Sequence, residues 1–213
     1  MKTNTRQKQA AYEKLFASAD KLIRGGDIPA ALERAREGFE LSLELSRNEC
    51  AGQYLFCLNK LGRFDEAVKA AERYAAKNGG LDETSLSNAL CAILSFGPGK
   101  ASSGLSLLKK SGLASVKDWR SRFASLDYNP SQTSLIFNTA LILLHAGQKA
   151  NALKLLKEVL EHLTFVMDSE DIDSEIVDEF MRLISEIPEF APLAEEESWN
   201  NLTEITDNIP GTT

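Results

Sequence analysis

Histidine and cysteine are scarce in this chain. Its 213 residues hold two histidines, His145 and His162, and three cysteines, Cys50, Cys57 and Cys91. Neither histidine belongs to an HExxH or another ligand spacing, and no cysteines form a CxxC pair, so no metal centre is expected. No GxSxG occurs and no cysteine has an evident activating base, which leaves nucleophilic catalysis without its residues. The expectation is a protein that is not an enzyme and needs no cofactor, with its thiols buried as small hydrophobes. Long apolar runs are missing too. The richest, Ala140-Leu141-Ile142-Leu143-Leu144, is far too short to cross a bilayer, and the opening MKTNTRQKQAAYEK has no stretch suited to a signal peptide. A soluble, cytoplasmic protein is therefore expected. The segment Gly97-Pro98-Gly99-Lys100-Ala101-Ser102-Ser103 looks superficially like a phosphate loop. It lacks the first glycine and a preceding strand, and Pro98 removes an amide donor, so it reads as a tight turn between helices.

What is present suffices for a core: 43% of residues are hydrophobic and 26% charged. The net charge of -7 is unevenly spread. Residues 168–213 hold 14 acids and one base, Arg182, whereas residues 1–167 carry a net +6. Such asymmetry marks an acidic interaction tail. A net acidic chain is poorly suited to nucleic acid, whose phosphates are met by clustered Lys and Arg.

Four segments align on a glycine followed five residues later by a small residue and then an apolar one. They begin at Gly26, Gly62, Gly99 and Gly147, with small residues Ala31, Ala67, Gly104 and Ala152. Each glycine follows one helical pattern and precedes another, as a residue able to adopt positive φ between antiparallel helices would. Seven residues before the glycines stand Ala19, Leu55, Ala92 and Ala140, the expected close-contact positions of the first helices. Repeats of this kind at spacings of 36, 37 and 48 residues point to stacked helix pairs.

These segments, best in Leu58-Asn59-Lys60-Leu61-Gly62-Arg63-Phe64-Asp65-Glu66-Ala67, resemble the tetratricopeptide repeat family over residues 11–163. The family's early tryptophan and closing proline are missing. The resemblance implies an all-α, right-handed superhelix of about four antiparallel helix pairs with a C-terminal capping helix. It also implies a protein–protein interaction adaptor or scaffold whose first helices line a concave groove. Carried over residue by residue, the groove takes Phe16 and Asp20 from the first pair, then Gln53, Phe56, Asn59 and Lys60 from the second. The third pair supplies Ala89, Leu90 and Ile93; the fourth supplies Phe137, Asn138, Leu141 and His145. Family members that clamp acidic chaperone tails use lysine, asparagine and arginine where this chain has Phe16, Asp20, Gln53, Leu86 and Leu90, so no carboxylate clamp is expected. The implied partner is a protein or peptide offering an apolar or amphipathic segment, not nucleic acid and not a membrane. An escort chaperone like the small acidic ones of bacterial secretion systems is the alternative. A homodimer and a self-docked tail also stay open.

Three segments flank the repeats. Residues 1–10 are expected to be flexible. Residues 112–131 form an insertion in which Val116, Trp119 and Phe123 share one face of a short helix, followed by a turn at 127–131. Trp119 is expected to plug a gap between helices. Residues 164–213 form the acidic end: a link at 168–173, a capping helix from Ser174 to Ile187 with Ile176, Val177, Phe180, Leu183, Ile184 and Ile187 as its stripe, and a weaker helix from Glu195 to Thr206.

Overall fold

The computed structural model describes residues 2–123, 130–167 and 174–207; among them there are helices and turns and no strand. The acidic link at 168–173 and the turn at 127–129 lie outside the described residues. The chain divides into two compact units, 1–112 and 113–213, so the boundary falls at the start of the insertion.

The first unit contains α1 (Lys2–Arg24), α2 (Ile28–Leu45), α3 (Glu49–Lys60), α4 (Phe64–Asn78), α5 (Glu83–Leu94), a 3-10 turn (Gly97–Lys100) and α6 (Ala101–Lys110). Residues 2–10, where a flexible start is expected, belong to α1, which begins at Lys2. Helix α1 ends as the glycine predicts. Gly26 has φ +78°, its N–H donates to the Ile23 carbonyl, and the Asp27 N–H donates to the Leu22 carbonyl. This pair of bonds satisfies carbonyls that a helix end leaves bare. The Asp27 carboxylate then accepts from the Ala30 N–H and, with Pro29 in the first turn, starts α2. Gly62 repeats the geometry, with bonds from Gly62 to Asn59 and from Arg63 to Leu58.

Within this unit α3 packs against α1, α2, α4 and α5, while α4 packs against α2, α5 and α6. Like helices therefore lie beside like: α1, α3 and α5 form one layer, and α2, α4 and α6 another. The positions named for close contact sit at these seams. Ala19, Ala31, Leu55, Ala67 and Ala92 are fully buried, and Gly104 is buried too. Small side chains there let helix backbones approach.

The third turn departs from expectation. Gly97, not Gly99, carries the positive φ, and Gly99 lies inside the 3-10 segment. In the other pairs the second helix starts two residues after the pivot glycine; here α6 starts four residues after it. The connection is two residues longer.

The second unit contains α7 (Val116–Phe123), α8 (Pro130–His145), α9 (Lys149–Met167), α10 (Ser174–Ser185), a 3-10 segment (Pro188–Glu195) and α11 (Glu197–Asp207). Gly147, at φ +75°, joins α8 to α9 with the same two bonds, Gly147 to Leu144 and Gln148 to Leu143. Helix α7 packs on α9, and Trp119 is 2% exposed. The acidic end does not stop at one capping helix. Helix α10 lies on α8 and α11 lies on α9, so both members of the fourth pair are covered. Val177, Phe180 and Ile184 of the expected stripe are buried, and Phe190, Leu193 and Leu202 join them. Helix α10 ends at Ser185, two residues early, and Pro188 and Pro192, which have no amide donors, shape the chain beyond it into a 3-10 segment. Helix α11 accordingly begins at Glu197. Among the described residues no helix is long and apolar enough to cross a membrane.

Candidate partner-binding face

The layer of α1, α3 and α5 brings together the expected residues of the first two pairs. Phe16 on α1 is 36% exposed, and Asp20 one turn on is ion-paired to Arg24 at 2.9 Å. On α3, Gln53, Phe56 and Asn59 are half-buried and Lys60 is exposed, with its ammonium 5.5 Å from the centre of the Phe56 ring. That separation suits a cation–π contact.

Two side-chain amides staple the layer. Gln53 Nε2 donates to the Phe16 carbonyl at 3.3 Å, tying α3 to α1, and Asn59 Nδ2 donates to the Asn88 carbonyl at 2.7 Å, tying α3 to α5. A backbone carbonyl can only accept, so each amide must present its nitrogen. Gln53 Oε1 and Asn59 Oδ1 are consequently left shielded without hydrogen-bond partners. The amides hold the floor of the face together and leave Phe56, between them on α3, as a partly accessible apolar group beside the more exposed Phe16 of α1.

The third pair does not deliver its expected residues. Ala89, Leu90 and Ile93 are fully buried and cannot line a groove. The cause is the longer turn. Counting back from Gly99 places the face two residues too late on α5, a rotation of about 200° on an α-helix, which exchanges the outer side for the core. Counting back from Gly97 by the offsets of Gln53, Phe56 and Lys60 from Gly62 gives Asn88, Cys91 and Ser95 instead. Asn88 is half-buried, and Cys91 and Ser95 are exposed. Cys91 thus departs from the expected burial of all three thiols, while Cys50 and Cys57 are sealed and burial pushes both up to about 11. The doubled glycine in Gly97-Pro98-Gly99 was the available signal for a displaced pivot.

In the second unit, Phe137, Asn138, Leu141 and His145 are half-buried on α8, and His145 Nδ1 is shielded without a hydrogen-bond partner.

One titratable cluster sits near the first layer. The Tyr12 hydroxyl on α1 donates to Glu49 at 2.8 Å and accepts from the Cys50 N–H at 3.0 Å, while Arg47 donates to Glu49 at 2.7 Å and lies over the Tyr12 ring. The Arg47 hydrogen bond, against the cost of burial, holds the Glu49 carboxyl down to about 2. Desolvation drives Tyr12 upward, so it stays a neutral phenol. The cluster locks α1 to the start of α3. Among the described residues no group of three or more His, Cys, Asp or Glu is placed to hold a metal ion.

No protein-family model matches this chain, and no curated protein or solved structure matches it.

Proposed function

We propose that this chain is a protein-binding adaptor or scaffold built as a tetratricopeptide-like array, and that it seats an apolar or amphipathic segment of a partner protein on the α1, α3 and α5 face. The array reading is supported by three inter-helix turns of one geometry, at Gly26, Gly62 and Gly147, and by the lateral packing of alternate helices. The placement of α10 on α8 and of α11 on α9 extends that alternation into the acidic end, which accordingly acts as a closing pair.

The observation that carries the binding role is the partial exposure of Phe16 and Phe56 on adjacent helices of one face. Aromatic rings are expensive to leave in water: complete burial of a Phe side chain is favourable by about 1.5–3 kcal/mol. Around them stand Asp20, Lys60, Asn88 and Ser95, a polar surround that orients a ligand. The face is more polar than a purely apolar groove, which favours an amphipathic helix over a fully apolar segment.

A library of amphipathic helical peptides displayed against the full chain tests this. Selected peptides are expected to bind the wild type and to lose at least tenfold in affinity to a Phe16→Ala/Phe56→Ala variant that keeps its helical circular dichroism. They are also expected to slow modification of Cys91 by a thiol reagent. Peptides bound equally by the variant, with Cys91 unprotected, would remove this face from the function.

A further inference from the structure

A second surface, separate from the aromatic face, is defined by charge. Helix α1 contains six bases, Lys2, Arg6, Lys8, Lys14, Lys21 and Arg24, and two acids, Glu13 and Asp20. Both acids are engaged, Asp20 with Arg24 and Glu13 with Arg47, and Lys8 is paired with Glu44. What remains exposed along one side of α1 is Arg6, Lys14 and Lys21, with Ala10 and Ala17 between them. The alanines make a low floor on which another helix can lie close. Lys14 and Lys21 are seven residues apart, about 10.5 Å along the axis, so they point the same way.

The complementary surface is on α11. Ser198 and Leu202 face inward, and the outward side presents Glu197, Asn200, Asn201 and Glu204, all exposed. Glu197 and Glu204 are also seven residues apart and share the spacing of about 10.5 Å. They belong to the segment 168–213, with its 14 acids and one base.

We propose that the Lys14–Lys21 side of α1 receives α11 of a second copy of this chain, the two lysines meeting Glu197 and Glu204. The matched spacing lets helices lie side by side with both pairs formed, and the alanine floor removes the steric obstacle. Each copy carries -7 overall, so long-range repulsion opposes association. At 0.1 M salt the screening length is about 10 Å, and the local stripes outweigh the distant charge. Exposed ion pairs contribute little individually, so the association is weak, concentration-dependent and sensitive to salt.

Sedimentation equilibrium of the full chain tests this. Self-association is expected at 0.1 M salt and is expected to weaken at least tenfold at 0.5 M. Lys14→Glu/Lys21→Glu and Glu197→Lys/Glu204→Lys are each expected to be monomeric with unchanged helical content. Combining all four substitutions in one chain is expected to restore association, an outcome that simple damage to the fold cannot produce. A wild-type chain that stays monomeric at 0.1 M salt overturns the proposal, as does self-association that the lysine reversals leave intact. Binding of a duplex oligonucleotide or anionic vesicles through Lys14 and Lys21, without self-association, overturns it as well.

Discussion

Gly38 on α2 and Cys50 on α3 meet without room for a single carbon between them: a Cβ built on Gly38 stands 2.6 Å from Cys50 Sγ and 3.0 Å from its Cβ. A mid-helix glycine ordinarily costs about 1 kcal/mol relative to alanine. Here the cost is accepted because α2 and α3 close on each other at this point. Gly38→Ala is expected to destabilise the chain by about 1–3 kcal/mol, the usual penalty of overpacking, despite alanine's better helix propensity. In a double-mutant cycle with Cys50→Ala, part of that loss is expected to return, since the sulfur is the nearer obstacle. Additive effects in urea titrations would show that the two residues are uncoupled.

The position of the third turn yields a sharper contrast. Gly97 has φ +64°, whereas Gly99 has no positive φ and open space around its missing Cβ. Gly97→Ala is expected to cost about 1–2 kcal/mol for the left-handed backbone, and Gly99→Ala to be neutral or stabilising by about 0.4–1 kcal/mol through a less flexible unfolded chain. The opposite order in thermal melts would return the pivot to Gly99.

Acid is expected to loosen the junction of α1 with α3. The folded Glu49 carboxyl lies at about 2, below its ordinary value of 4.5, because Arg47 and Tyr12 bond its ionised form. A depressed carboxylate stabilises the fold fully above the unfolded value and loses that contribution as pH falls through the folded one. Stability measured by urea titration is expected to fall more steeply between pH 5 and pH 2 for the wild type than for Glu49→Gln, with Tyr12→Phe between them. Parallel pH profiles for wild type and Glu49→Gln would count against the coupling. Because Glu49 is partly exposed, the difference is expected to shrink at high salt.

The three cysteines are expected to separate kinetically. Cys91 is exposed on α5, and Cys50 and Cys57 are buried on α3; desolvation raises all three thiols, the buried pair to about 11, so access to the reagent is what separates them. One thiol per chain is expected to react quickly with an aromatic disulfide reagent at pH 8, and three in denaturant. Cys91→Ser should abolish the fast phase. Persistence of that phase would mean that α5 presents a different side.

The helices were legible because their punctuation is local. Gly26, Gly62 and Gly147 turn the chain through bonds that span only six residues, and the small residues that follow them mark seams that the structure closes. That Phe16, Asp20, Gln53, Phe56, Asn59 and Lys60, and on α8 Phe137, Asn138, Leu141 and His145, escape full burial was legible for the same reason: each is measured from a glycine that is a true pivot. Ala89, Leu90 and Ile93 were misplaced because two glycines compete at the third turn. A two-residue error is small along the chain but carries a helical side chain from outside to core.

The amino-acid sequence by itself determined which stretches become helices, where three of the four pairs turn back, and that the acidic residues gather at one end. Those outcomes follow from φ preferences, hydrophobic spacing and composition, which act over a few residues. Tertiary structure alone decided that Gly97 is the pivot, that Cys91 faces outward, that Gly38 must stay bare against Cys50, and that α10 and α11 cover both helices of the preceding pair. Each of these depends on how closely two backbones approach, and that distance is set jointly by side chains far apart in sequence.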